Sequence, residues 1–297
     1  MTYEEKLQQY KDWIFRRSAY QMALAIIGID KQTVAPSAGA AYRDERSAYL
    51  AGELFSIETD PAMVQLLKEL KDDPQIDGDN KRAVELYYKQ AMDTMCIPKE
   101  EFVAYQKLRD ESFDAWINAK SQSDYSIFEP YLKKIIEVSK KMYRYRNSDK
   151  NLYDQMLDDY EPGMTQEKYD VFFAALKERL VPLIQKVTQA KQKNEAFLHQ
   201  EFPIEDQKKF MTQLLEYLHF DSSWGYQNES EHPFTSWTCE NDCRTTTKYV
   251  KNDVISAVLS TVHEVGHAYY EHNVDPKYDG MILSEGISSG MHESQSR

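Results

Sequence analysis

The sequence is poor in helix-breaking residues and in cysteine, and each scarcity narrows the class of protein. Its 297 residues include only 10 Gly, 10 Pro and 3 Cys. Because Gly and Pro are scarce and long helical patterns dominate, we expect a mainly α-helical protein. Three cysteines, at positions 96, 239 and 243, are an odd number for the disulfide framework of a secreted protein. We therefore expect free thiols and a cytoplasmic location.

Positive charge and long apolar runs are missing as well. The formal net charge is -13, which argues against a nucleic-acid partner and against anionic membrane surfaces. No apolar run approaches the length that spans a bilayer, and the first residues contain no apolar signal-peptide core. The sequence therefore predicts a protein with neither a nucleic-acid nor a membrane partner.

Helical periodicity extends from the start of the chain to about residue 220. Thr2 and Glu5 have the spacing of a capping box, which predicts the start of the first helix. The longest of the later patterns covers Thr165–His199, with Pro182 as an expected kink. These patterns predict a helical body over residues 1–220.

The character of the sequence changes after Asp221. Ser222–Glu231 is polar and is predicted to be a loop. Phe234–Cys239 and Arg244–Val250 are rich in Thr and aromatic residues, which predicts two short antiparallel strands joined by a turn. Such a hairpin is either purely structural or offers a free edge to an extended peptide, and the sequence leaves both interpretations open.

The residues suited to catalysis lie in an apolar-periodic segment, Val254–Tyr270. His263 and His267 are one helical turn apart, in the pattern His-Glu-x-x-His, so both imidazoles can bind one metal ion. Glu264 projects about 100° round the helix from His263, where a carboxylate can take a proton from metal-activated water. Gly266 removes a side chain between the two histidines, and we expect the backbone of a substrate to approach there.

A catalytic zinc usually has three protein ligands and one open position. Ile282–Arg297 is predicted to be a further helix, and both Glu285 and Glu293 on it are candidates for the third ligand. Glu271 follows His267 by one turn on the same helix, which suits it better to orienting an imidazole than to binding the ion. The spacing does not choose between Glu285 and Glu293, and the remaining candidates are Asp275, Asp279 and His292.

Several short motifs, taken in their order along the chain, resemble those of the carboxypeptidase Taq family of zinc metallocarboxypeptidases, peptidase family M32. Besides the two histidines and Glu264, they are His232–Thr235, Asp242–Thr246, Ser284–Gly286 and His292–Arg297. The resemblance implies that Glu293 is the third zinc ligand. It also implies a large helical, gluzincin-like body with a deep groove, and a homodimer. Two later motifs of the family, Ile-Arg-x-x-Ala-Asp and Gly-x-x-Gln-Asp-x-His-Trp, do not occur. We therefore expect a single catalytic domain over residues 1–297, truncated at its C-terminus, with the hairpin and metal-binding helices in 221–297.

The function expected from the residues and the resemblance is zinc-dependent removal of the C-terminal residue of peptides, with broad specificity. His263, His267 and Glu293 would hold Zn²⁺, with Co²⁺ or another divalent metal as an alternative, and Glu264 would be the general base. A further set either binds substrate or braces the fold, and it consists of His232, Asp242 and Arg244. The alternatives are a related oligoendopeptidase and a catalytically incomplete fragment that acts only as a helical scaffold.

Overall fold

Helices make up most of the computed structural model, which describes residues 1–146, 148–191, 193–198 and 200–297. The prediction of a mainly α-helical protein is confirmed. The described helices are α1 Tyr3–Thr33, α2 Ala40–Glu58, α3 Pro61–Asp72, α4 Gly78–Thr94, α5 Lys99–Gln122, α6 Glu129–Tyr145, α7 Leu152–Tyr160, α8 Gln166–Gln189, α9 Ile204–Tyr217, α10 Val254–His272 and α11 Ser289–Gln295. The strands are β1 Gly225–Glu229, β2 Thr235–Cys239 and β3 Asp242–Thr247.

The first helix begins where its capping box predicts. The Glu5 N–H donates to Thr2 Oγ1 at 3.2 Å, and the Thr2 N–H donates to Glu5 Oε2 at 2.8 Å. The long helix predicted over Thr165–His199 is wrong beyond Gln189, where α8 ends, and His199 lies outside the described residues. The five residues after Ala190 are all polar or charged, so a continued helix would have no apolar face to bury.

The main hydrophobic core lies between α1, α3 and α4. Tyr10 and Leu67 are fully buried there, and the Trp13 indole N–H donates to the Ile57 carbonyl at 2.9 Å. Arg17 extends from the same face of α1 and is 1 % exposed, and its Nε lies 2.7 Å from Glu58 Oε1. Because a buried guanidinium needs a paired anion, this ion pair ties α1 to the end of α2.

A three-stranded sheet with the order β1-β3-β2 lies beside α10. The predicted hairpin is confirmed, since β2 and β3 pair antiparallel. The predicted loop at Ser222–Glu231 is wrong, because β1 forms there and pairs parallel to β3, with Gly225 opposite Cys243. The polar sequence of β1 has no apolar alternation, so only backbone pairing with β3 makes it a strand. The central strand β3 is thus paired on both sides, and β2 is an edge strand within the described residues.

The last segment is not the single helix predicted for Ile282–Arg297. A 3₁₀ turn at Ile282–Ser284 is followed by extended backbone, and α11 starts only after Ser288, whose side chain accepts from the Met291 N–H. Ser is a favoured N-cap because its hydroxyl satisfies a free helix N–H. The Ile282 N–H donates to the Tyr87 hydroxyl at 2.6 Å, which anchors this segment to α4.

No helix among the described residues combines the length and the apolar character needed to cross a membrane. All three cysteines are free, and Cys243 is fully buried in a small cluster with Val265 and Ala268. Burial raises the pKa of the Cys243 thiol to about 12, so it remains a neutral thiol that packs like a small apolar side chain.

Candidate metal centre

Helix α10 holds the two histidines of the His-Glu-x-x-His pattern. It begins where the Asp253 side chain accepts from the Ser256 N–H at 3.0 Å, and it packs on β2 and β3. This cap and this packing fix the helix, so His263 and His267 are presented on one face. Their Nε2 atoms lie 3.2 Å apart and their rings are nearly perpendicular.

Helix α11 brings Glu293 to the same point. Its two carboxylate oxygens lie 3.7 Å from His263 Nε2 and 3.8 Å from His267 Nε2. The donors around a tetrahedral zinc ion are separated by roughly 3–4 Å, so these three side chains fit one ion. Glu285, the other candidate, instead lies 3.7 Å from Arg17 Nη2, on the side of α1.

The close approach of α11 to α10 depends on Gly266. A Cβ at this position would lie 2.7 Å from Ser296 Cα and 3.0 Å from the Gln295 carbonyl oxygen. The expectation that Gly266 admits the backbone of a substrate is therefore wrong, because the end of α11 occupies that space. The missing side chain instead lets the helix that carries Glu293 reach the histidines.

The start of α11 has a partner from a distant part of the chain. Glu161, in the turn after α7, accepts from the Gly290 N–H through Oε2 at 2.9 Å. A Cβ at Gly290 would lie 2.5 Å from that oxygen, so a side chain there would displace the Glu161 carboxylate. Sequence reasoning missed the contact because 129 residues separate the partners.

Glu264 is buried beside the histidines, with 6 % of its surface exposed. The Thr235 hydroxyl lies 2.7 Å from Glu264 Oε2 and 2.9 Å from its main-chain oxygen, and can donate to either. Burial raises the pKa of Glu264, and the Thr235 hydrogen bond opposes that rise. A carboxylate with a raised pKa is a stronger base at neutral pH. Thr235 was missed as a contact of Glu264, since nothing local indicates a partner 29 residues away.

His292 connects the histidine pair to a buried carboxylate. Its Nδ1 lies 2.6 Å from His267 Nδ1, and its Nε2 lies 2.6 Å from Oε1 of Glu271. Glu271, expected to orient an imidazole, therefore contacts His292 directly and reaches His267 only through it. Burial lowers the pKa of His267, which favours the neutral imidazole that a metal ion requires.

The side chains of His263, Glu264, His267 and Glu293 line a cavity of about 630 Å³, with His232 in its wall. The His232 ring stands edge-on to the Trp116 ring, with centroids 6.4 Å apart. Asp242 and Arg244 do not line the cavity. Arg244 donates to both carboxylate oxygens of Asp242, at 2.7 and 2.8 Å, and Thr238 donates to one of them at 2.9 Å. This geometry favours the bracing interpretation for Asp242 and Arg244 and leaves His232 facing the cavity.

Comparison with known proteins identifies the family. The sequence model of the carboxypeptidase Taq (M32) metallopeptidases matches residues 9–297. The chain belongs to this family. Among its relatives, Carboxypeptidase 1 of Bacillus subtilis is 37 % identical, over an alignment that covers 99 % of this chain and 59 % of the relative. The resemblance inferred from the short motifs is therefore confirmed, and membership implies a divalent metal.

Solved M32 structures share the fold. The crystal structure of BsuCP superposes with a TM-score of 0.94 at 36 % identity, covering 98 % of this chain and 59 % of that one. The M32 carboxypeptidase of Deinococcus radiodurans R1 gives a TM-score of 0.87 at 29 % identity, covering 99 % and 59 %. The expected helical peptidase fold is thus confirmed. The chain spans about three-fifths of the length of these relatives, with 59 % covered in each.

Proposed function

We propose that this chain takes part in removing the C-terminal residue of peptides, with a divalent metal held by His263, His267 and Glu293. The observation that carries the proposal is the convergence of these three donors beside the buried Glu264 in the wall of one cavity. When bound, the metal supplies a Lewis acid that polarises the scissile carbonyl and lowers the pKa of water.

Glu264 does the proton transfer in this proposal. The Thr235 hydroxyl lies next to Oε2, so Oε1 is the oxygen assigned to take the proton from the attacking water. As the water oxygen bonds to the carbonyl carbon and the C–N bond breaks, the same carboxyl group returns that proton to the leaving amine. Its burial keeps bulk water from competing for the proton.

Zinc is the proposed metal, with Co²⁺ or another divalent ion as the alternative. Two imidazole nitrogens and one carboxylate oxygen form the donor set of many catalytic zinc sites, which leave a fourth position open. The support for zinc is the choice of donors alone. Elemental analysis of the purified protein, followed by titration of the metal-free form with Zn²⁺ and Co²⁺, tests both the stoichiometry and the preference.

A cation paired with the terminal carboxylate strengthens recognition of a free C-terminus. No Arg or Lys stands among the described residues that line the cavity, and Arg244 is already paired with Asp242. The family resemblance attributes this contact to the Ile-Arg-x-x-Ala-Asp motif, which the 297 residues do not contain. His232, in the cavity wall, is proposed as a subsite residue instead.

The deciding experiment compares one peptide with its C-terminally amidated copy. We expect the metal-loaded protein to release the last residue of the free peptide and to leave the amidated copy intact, with products identified by mass spectrometry. Equal cleavage of both would favour the oligoendopeptidase alternative. Stoichiometric metal without any cleavage would favour a helical scaffold that lacks part of the site.

The oligomeric state and the cellular location are proposed as well. A homodimer is implied by the family resemblance, and light scattering on the purified protein would show the expected doubling of the 34.8 kDa chain mass. A cytoplasmic location is supported by the three free cysteines. Fractionation of the source cells tests it, and recovery of the protein outside the cytoplasmic fraction would contradict it.

A further inference from the structure

Two short hydrogen bonds join the buried Glu271 to His267 through His292. Glu271 is 2 % exposed, and an ionised carboxylate can only accept hydrogen bonds. With His292 neutral, its Nε2–H donates to Glu271, so its Nδ1 carries a lone pair and accepts the Nδ1–H of His267. This arrangement of protons leaves the lone pair of His267 on Nε2, the atom that faces His263 and Glu293.

We propose that Glu271 and His292 are positioning residues of the metal centre. They hold His267 in the tautomer whose Nε2 binds the ion. Through His292, the buried carboxylate of Glu271 also makes the His267 imidazole more basic. Ligating histidines commonly donate their other ring N–H to a carboxylate or a carbonyl, which raises the basicity of the ligand. In this protein an imidazole lies between the ligand and the carboxylate. The inference rests on the proposed metal site.

The surroundings of His292 hold its ring in this bridging position. The Trp237 ring lies 5.7 Å away, and the Tyr270 ring stands edge-on at 5.0 Å. A Cβ at Gly286 would lie 2.6 Å from His292 Cδ2, so the absence of a side chain there makes the space for the ring. Both ring nitrogens of His292 are already engaged. His292 is therefore excluded as the third metal ligand, although it was a candidate by position.

The hydrogen-bonded series Glu271–His292–His267 is called the relay here. The test measures metal affinity in variants that interrupt the relay at different points. For His292→Phe, which removes both hydrogen bonds, we expect zinc affinity about 10–100-fold weaker than in the parent, by competition with a chelator. His292→Asn keeps a hydrogen-bonding group near the position of Nδ1 and should lose less. Glu271→Gln keeps an acceptor for His292 but removes the charge, and it should also lose less than His292→Phe.

A matched control and an independent variant make the result specific. His272→Gln changes a histidine next to Glu271 whose ring stacks on Trp224, away from the relay, and it should leave zinc affinity unchanged. Gly286→Ala leaves both relay residues in place but crowds the His292 ring, and it should weaken zinc binding as His292→Phe does. The thermal stability of the metal-free variants shows whether each still folds.

Two spectroscopic readings separate positioning from general support. Imidazole ¹⁵N NMR of the metal-free parent should show His267 protonated at Nδ1, and His292→Phe should show a mixture of tautomers. The absorption bands of the Co²⁺-loaded protein should shift in the relay variants and not in His272→Gln.

Unchanged zinc affinity in both His292→Phe and Glu271→Gln would overturn the relay, as would an Nε2-protonated His267 in the parent. A parent that binds no zinc would overturn both the relay and the proposed function. If the parent binds zinc but cleaves no peptide, and the relay variants bind zinc more weakly than the parent, the proposed function is refuted and the relay is supported.

Discussion

Two buried regions among the described residues are built from opposite kinds of side chain. The core between α1, α3 and α4 consists of aromatic and aliphatic residues such as Tyr10, Leu67 and Tyr87. The region between α10 and the sheet has only a small apolar cluster, and most of the side chains buried around it are polar, namely Thr245, Thr246, Thr247, Thr261, Glu264, His267 and Glu271.

The difference shows where stability and where function are located. Apolar burial lowers the free energy of the folded chain without requiring exact partners. A buried polar group is costly unless it is hydrogen-bonded, so paired groups such as Glu264 with Thr235 and Glu271 with His292 must be held at a particular distance from each other. The first region therefore holds the fold together, and the second aims the side chains of the metal centre.

The largest effect should follow from Glu264→Gln, which changes the polar region without changing its shape. Loss of a general base typically lowers turnover about 10²–10⁴-fold. Since burial raises the pKa of Glu264, the folded state disfavours its charge, and the neutral amide should not lower the melting temperature. Steady-state kinetics and thermal denaturation check the two halves. Activity within twofold of the parent would contradict the assignment of the base.

Leu67→Ala tests the apolar region, where we expect a loss of stability without a loss of zinc affinity. Leu67 is 0 % exposed in the core of the helical body, and such truncations cost about 2–5 kcal/mol of unfolding free energy. Zinc affinity of the folded fraction should be unchanged, because α3 packs mainly against α4 and α1 and carries none of the metal-binding side chains. Urea denaturation and zinc titration measure both quantities. A parallel loss of zinc affinity would show that the two regions are not separable.

Gly266→Ala and Gly28→Ala are a matched pair of helical glycine substitutions. A methyl group at Gly266 would meet the backbone of Ser296 at 2.7 Å, whereas nothing lies within 4 Å of a Cβ at Gly28. Overpacking at Gly266 should cost about 1–3 kcal/mol and weaken zinc binding by moving Glu293. Gly28→Ala should instead stabilise the protein by about 0.5–1 kcal/mol and leave zinc binding unchanged. Equal behaviour of the two variants would refute the role given to Gly266.

The smallest effect concerns pH and Asp279, at the edge of the polar region. Partial desolvation, together with the neighbouring Glu240 carboxylate, raises the pKa of Asp279 to about 6. The folded protein therefore binds this proton more tightly than the unfolded chain does, and stability falls as the pH rises from about 4 to about 6. Asp279→Asn should raise the unfolding free energy at pH 7 relative to the parent and change it less at pH 4. Urea denaturation at both values measures this difference, and an equal effect at both would contradict it.

The local part of the site could be predicted because it needs only helical geometry. His263, Glu264 and His267 lie within one and a half turns, so their relative directions follow from the helix itself. Glu293 could not be chosen over Glu285 by spacing, and only the family resemblance favoured it. The sequence predicted one continuous helix over Ile282–Arg297, which would carry both Glu285 and Glu293. In the structure, the extended backbone after Ser284 directs Glu285 towards Arg17.

Contacts between distant segments could not be predicted. Thr235, Glu161 and His292 each contact the site through a partner 21 to 129 residues away, and no periodic pattern relates such pairs. The role of Gly266 was predicted wrongly for the same reason, since the sequence shows that a side chain is missing but not what fills the space. Strand β1 was missed because its pairing with β3 is also non-local.

The sequence by itself determined that the protein is helical, that a hairpin precedes α10, and that two histidines and a glutamate share one helix. These features depend on interactions between residues close together in the chain, whose geometry is the same in every helix or hairpin. Only the tertiary structure decided which carboxylate meets the histidines, which groups lie behind them, and why Gly266 and Gly286 have no side chain. Those outcomes depend on the packing of α11 against α10, where a shift of one ångström would separate the partners.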